Sequence, residues 1–104
     1  MKDLIRHGDL IFKRIETVPE GQVADRQRQV KVAGTVIQKG EVTGHAHRVT
    51  DGEFSLINVL QTRSWSKEEF SVGRFLECKT STTVSHEEHK PVTLLPGLYE
   101  IMQA

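Results

Sequence analysis

Short runs of Val, Ile, Thr, Phe and Leu recur along this chain, alternating with polar positions and separated by Gly, Pro or charged clusters. A period of two puts every second side chain on one face of a strand. β-Branched and aromatic residues suit such a pleated, half-buried surface. The pattern predicts a first strand over residues 9–17, closed by "PEG" at 19–21. The polar stretch "QVADRQRQ" at 22–29 reads as a loop or one weak helical turn. An extended run follows from residue 30 to 49, with Val30, Val32 and Val36 on one face and a bulge or bend at Gly34 and Gly40. "TDGE" at 50–53 is a turn signal, and "FSLINVLQT" at 54–62 alternates Phe54, Leu56 and Leu60 against smaller or polar partners.

Beyond residue 62 the pattern is mixed. Ser66 followed by Lys67, Glu68 and Glu69 fits the capped start of a short helix. Further strands are expected at 74–84, at 91–95 and, after the "PG" turn at 96–97, through "LYEIM". There is no internal repeat and no low-complexity tract. Strands spaced this evenly, with no helical segment of about 10–15 residues between them, predict an all-β protein. The expected architecture is a small β-barrel or sandwich forming one domain over residues 1–104.

Length and charge narrow the function classes. A chain of 104 residues suits a single hydrophobic core. Fourteen Lys and Arg balance fourteen Asp and Glu. That neutrality argues against a nucleic-acid or acidic-membrane binder and leaves a homo-oligomer open. The single cysteine, Cys78, forms no internal disulfide, as suits a reducing cytoplasm. The N-terminus has no unbroken apolar stretch of the signal-peptide kind, and no apolar run reaches the roughly 18–20 residues of a membrane span.

Candidate chemistry is concentrated in the histidines. Four of the five lie in two clusters, "EVTGHAH" at 41–47 and "HEEH" at 86–89. On a strand, Glu41, Thr43, His45 and His47 would share a face, with the two imidazole-bearing Cα atoms about 6–7 Å apart. Rings so placed can tilt towards one ion at about 2.0–2.1 Å. His86 and His89, three apart, can reach a common ion only if the segment makes a tight turn. Otherwise one of them contributes alone, with Glu88 beside His86 or Glu87 beside His89. The competing readings are a solvated polar face, a pH-responsive surface, and a metal-free hydrogen-bonded network or general-base site. Nitrogen and oxygen donors without thiolates suit Zn, Fe(II), Mn, Ni or Cu. A coordination position left open would mean a catalytic ion, and four tight ligands a closed structural zinc.

At these residues the chain resembles a small, functionally uncharacterised bacterial family. That family carries a GE-x-TGH-x-H stretch, then H-x-EH, then PG-x-Y, and usually opens like "HGDLIF" here. More distantly the chain is similar to the cupins, jelly-roll β-barrels that hold a metal inside. Gly40, His45 and His47 loosely match the first cupin motif, whose carboxylate would fall at Asp51. The second motif differs, because His86 and His89 precede Pro96-Gly97 and no histidine follows it. Glu41 is therefore as good a carboxylate candidate as Asp51. The resemblance implies a metal-holding β-barrel and transfers no reaction.

Other residues carry weaker signals. His7, in "RHGD", reads as a turn residue, with a role as fifth ligand or proton donor the lesser alternative. Cys78 is expected to be an inert core thiol, and Tyr99 to pack. Trp65 and Phe70 are expected to cover one end of the core or join a subunit contact. Arg48 and Arg74 are candidates to clamp an anion. No phosphate loop, nucleophile elbow or dinucleotide fingerprint is present.

The sequence thus predicts a cytoplasmic, cupin-like β protein binding one divalent transition metal (Zn, Fe, Mn or Ni) through His45, His47, His86 and His89. Glu41 is the expected oxygen ligand or neighbour of the ligands. A catalytic ion would act on a small-molecule ligand as a Lewis acid, with Glu87 or Glu88 as base. The alternative is a non-catalytic interaction domain with a structural zinc or a pH-sensitive histidine contact.

Overall fold

The computed structural model describes residues 3–18, 27–40, 44–63 and 65–103. Ten strands run in chain order: β1 (Leu4–His7), β2 (Leu10–Ile15), β3 (Gln27–Val32), β4 (Val36–Lys39), β5 (Ala46–Asp51), β6 (Phe54–Thr62), β7 (Glu69–Cys78), β8 (Thr82–His86), β9 (His89–Leu94) and β10 (Gly97–Gln103). They form two antiparallel sheets, a six-stranded one ordered β1-β2-β10-β7-β6-β3 and a four-stranded one ordered β4-β5-β8-β9. Of the two expected architectures the sandwich is the one that fits; neither sheet closes into a barrel among the described residues. No helix of the described residues is long and apolar enough to cross a membrane.

The chain switches sheets hairpin by hairpin: β1 and β2 pair, then β4 and β5, β6 and β7, β8 and β9. Alternation along each strand supplies the inner faces. Leu10, Phe12, Leu56, Leu76, Cys78, Tyr99 and Ile101 of the larger sheet meet Ile37, Val49, Val84 and Leu94 of the smaller one in a single buried cluster. The large sheet also buries its other face over Ile57, Val59 and Phe75, with Ile15, Val18 and Leu98 beside them. This is why apolar residues of 54–62 fall on both faces, Leu56 on one and Ile57 and Val59 on the other.

Several sequence expectations change here. The single strand expected at 9–17 is the second arm of a hairpin whose first arm is β1, turned through Gly8 and Asp9 with Gly8 at φ +63°. The "PEG" turn and residues 22–26 lie outside the described residues, but residues 27–29 are strand. The long run from 30 to 49 is broken between β3 and β4, where Gly34 takes φ +91°, and again before β5, where Gly44 takes φ +85°. The helix expected at Ser66 does not form. Its hydroxyl accepts the Glu68 N–H at 3.3 Å, so the capping chemistry is spent on a turn leading into β7. The strand expected at 74–84 divides at residues 79–81, where the chain crosses between sheets. Lys79 N–H donates to the Glu53 carbonyl at 2.8 Å and Glu53 N–H to the Thr80 hydroxyl at 2.9 Å. The two crossing loops therefore brace one another.

The remaining residues are absorbed structurally. Cys78 is a free, buried thiol whose pKa burial pushes up, against a smaller opposing effect of the Thr82 hydrogen bond. Tyr99 is buried, donates its hydroxyl to the Leu95 carbonyl at 2.8 Å and accepts from Arg14 at 3.2 Å. Arg74 reaches across the sandwich to the Ile37 carbonyl at 2.7 Å and the Gln38 side-chain oxygen at 2.8 Å. It ties the sheets together and is not placed as an anion clamp. Trp65 does not cover the core; it is 79% exposed, with the Arg63 guanidinium 5.9 Å from its ring and 4.8 Å from Phe70.

Candidate functional site

Three turns meet at one end of the small sheet. The β1–β2 hairpin brings His7, Gly8 and Asp9; the start of β5 brings His45 and His47; the β8–β9 hairpin brings His86 and His89. β1 and β9 are neighbouring edges of the two sheets, which sets the first turn against the third.

The segment "HEEH" makes the tight turn that the sequence reading required. His86 and His89 are directly opposed across the hairpin, with Glu87 and Glu88 at its tip. A cross-strand pair shares a face, so a spacing of three puts both imidazoles on one side, their ring centres 4.8 Å apart. "GHAH" behaves differently. β5 starts at Ala46, so His47 is a strand residue pointing inward while His45 precedes the strand. The two rings flank His86, at 5.9 Å for His45 and 4.5 Å for His47. Glu41 lies outside the described residues. Asp51 is exposed at the far end of β5.

His7, expected from the sequence to be a turn residue, lies instead at the end of β1. It is a strand residue, 2% exposed, with its ring 4.9 Å from that of His47 and 5.9 Å from that of His89. All five histidines of the chain therefore gather in one cluster. The signal for His7 was the Gly-Asp that follows it. A two-residue turn there reverses the chain and aims the preceding side chain at whatever faces the hairpin's end.

The polar atoms are partly engaged. His47 Nε2 lies 2.8 Å from Asp9 Oδ1, and His47 Nδ1 lies 2.9 Å from His7 Nδ1. His86 Nδ1 accepts the Glu88 backbone N–H at 3.0 Å. Among the described residues two buried ring nitrogens, His7 Nε2 and His45 Nδ1, have no hydrogen-bond partner; a carboxylate oxygen of Glu88 lies 3.8 Å from the latter. Glu87 points away from the cluster. It accepts from the Ala46 N–H at 3.2 Å and from Arg48 at 3.3 Å.

Burial, helped by the neighbouring His47, pushes the pKa of His7 down, and the Lys90 backbone only partly offsets this. His86 is lowered for the same two leading reasons. Asp9 is held below the usual carboxylate range by its hydrogen bond to His47. Burial raises Glu87, but the Ala46 and Glu87 N–H groups and Arg48 outweigh it, leaving a net lowering. His7 and His86 are thus held towards the neutral form, and Asp9 and Glu87 towards the ionised one.

A cavity of about 440 Å³ opens over the cluster, walled by Arg6, Asp9, His45, His86, Glu88 and His89. That volume suits a small molecule. As they stand, no three His, Cys, Asp or Glu groups among the described residues are arranged to hold a metal ion. Gly8 and Gly40 leave room for the rings: a Cβ on Gly8 would lie 2.6 Å from His89 Nε2, and one on Gly40 3.3 Å from His86 Nε2.

Residues 6–104 match the model of one protein family, described as a domain of unknown function, DUF8820. No curated protein and no solved structure matches the chain.

Proposed function

The chain belongs to the DUF8820 family, and we propose that it is a divalent-metal-binding domain whose histidine cluster presents the ion to a small polar ligand. The observation that carries this reading is the convergence of all five imidazoles, from three separate turns, beneath one cavity. Rings bound to one ion at about 2.1 Å have centres roughly 4.5–5.2 Å apart. The six neighbouring pairs here span 4.5 to 6.0 Å, so modest ring movements would bring donors to bonding distance. His45, His47, His86 and His89 are the proposed imidazole donors, with Glu41 as the oxygen donor. Imidazole and carboxylate donors suit Zn, Fe(II), Mn or Ni, and the cupin-like kinship remains part of this proposal.

The cavity favours an ion with an open position over a closed staple. Such an ion would act as a Lewis acid on an oxygen of the ligand. Glu88, on the cavity wall, is the better-placed base; Glu87 is occupied by Ala46 and Arg48.

A second reading, a metal-free imidazole network, draws on the donor arrangement, in which no three groups among the described residues stand ready for an ion, and on the nitrogens already hydrogen-bonded. Elemental mass spectrometry on untagged protein separates the two. One equivalent of a single transition metal, lost in His47→Ala with the β circular-dichroism spectrum retained, supports the metal reading. No metal, even after reconstitution with Zn, Fe(II), Mn and Ni, overturns it in favour of the network.

A further inference from the structure

The hydrogen bonds within the cluster sort its five rings. A neutral imidazole carries one N–H and one lone pair, and its partners fix which nitrogen holds which. His47 Nε2 faces a carboxylate oxygen of Asp9 at 2.8 Å, and a carboxylate only accepts, so the proton is on Nε2 and Nδ1 holds the lone pair. His7 Nδ1, at 2.9 Å from that lone pair, must then be the donor. This leaves His7 Nε2 as a bare lone pair, buried and without a partner. His86 is fixed the other way: its Nδ1 accepts the Glu88 N–H, so its proton sits on Nε2, turned towards Gly40.

Separation of ring centres alone would rank His86 ahead of His7 as the partner of His47, at 4.5 against 4.9 Å. The hydrogen bonds reverse that ranking. For His86 to ligate, it must give up the Glu88 N–H or bind through a nitrogen that already carries a proton. His7 needs only to move its proton from Nδ1 to Nε2. Two nitrogens bound side by side at about 2.1 Å on a six-coordinate ion are roughly 3.0 Å apart. The His7 and His47 Nδ1 atoms are already 2.9 Å apart, so tilting both rings towards a common point beside that line would let them bind one ion.

We infer that His7 and His47 chelate the ion through their Nδ1 atoms, with His89 as third donor, while His45 and His86 face the cavity and contact the bound small molecule. Asp9 is then a positioning residue, holding His47 by its Nε2–H as metal-bound histidines are commonly held by an outer carboxylate. His89, with its ring centre 5.9 and 6.0 Å from those of His7 and His47, moves inwards by about 1 Å to join them. Both rings of the pair stay neutral, and the His7 proton passes from one nitrogen to the other, so none leaves the protein. The inference rests on the metal reading above and changes its donor set.

The test uses Zn(II) and the untagged full chain. His7→Ala is expected to weaken Zn(II) binding at least a hundredfold, as His47→Ala does, whereas His86→Ala keeps one equivalent within tenfold of the native affinity. Should His7→Ala fold poorly, long-range proton–nitrogen NMR on the native protein reads the same assignment. Zn(II) should switch His7 from the Nδ1–H to the Nε2–H tautomer and leave His47 with Nε2–H. Loss of binding in His86→Ala, retention in His7→Ala, or an unswitched His7 in the Zn(II)-loaded protein overturns this donor set while the metal reading stands. A native protein that takes up no Zn(II), Fe(II), Mn or Ni brings down both.

Discussion

Gly8 and His89 approach so closely that a Cβ on the glycine would lie 2.6 Å from the ring's Nε2. Gly8 also holds φ +63°, a conformation that costs other residues roughly 1–2 kcal/mol. Gly8→Ala is therefore expected to destabilise the fold by at least about 1–2 kcal/mol and to displace the His89 ring. A thermal melt checks the first, and the His89 NMR signals the second. An unchanged His89 environment would refute the close packing.

Gly34 and Gly52 form a matched pair for separating strain from collision. Both have positive φ, +91° and +102°, but a Cβ on Gly34 meets nothing within 4 Å while one on Gly52 runs into the Ser81 carbonyl oxygen. Gly34→Ala should cost about 1–2 kcal/mol, from backbone strain alone. Gly52→Ala should cost clearly more, since the two crossing loops must separate. Denaturant midpoints at equal m-value read the difference, and equal losses would contradict the bracing of those loops.

Arg74 spans the sandwich with two hydrogen bonds, to Ile37 and Gln38 of β4. Arg74→Met keeps the apolar stem and abandons the Ile37 carbonyl, with an expected loss of about 1–3 kcal/mol. Arg74→Lys should recover only part of that, because an ammonium cannot reproduce the guanidinium fork. Full recovery by lysine would show that charge alone matters there.

Acid should destabilise the metal-free protein earlier than carboxylates alone would explain. Burial and His47 hold His7 and His86 below their ordinary value of 6.5. The unfolded chain therefore takes up these protons before the folded one, and stability rises with pH across that interval. The contribution is intact above about pH 6.5 and is lost as pH falls towards the folded values. The lowered carboxyls of Asp9 and Glu87 add a further loss near pH 4 and below. Denaturant midpoints measured from pH 8 to 5 should fall below pH 6.5, and His7→Gln should flatten the fall. A midpoint that rises on acidification would refute the lowering of His7 and His86.

Local chemistry made much of this protein legible beforehand. The apolar spacing of 54–62 coincides with β6 because Leu56 meets the core between the sheets while Ile57 and Val59 pack on the opposite face. Pro96-Gly97 marks the entry to β10, since proline stops one strand and glycine starts the next. "HEEH" announced its own condition, a tight turn, and the turn forms.

What sequence could not supply was the partner of each turn. His7 stands forty residues from His47, and no spacing rule links them. Their contact exists because β1 and β9 are neighbouring edges of different sheets, set by how the whole core packs. The break between β7 and β8 was hidden for the same reason, since polar residues 79–81 could belong to a strand or to a crossing until the second sheet is in place. Short-range propensity determined which residues are extended and which ones turn. Only the packing of the two sheets decided that five imidazoles would gather in one cluster, three of them on the wall of a cavity, and which nitrogens would face a neighbour.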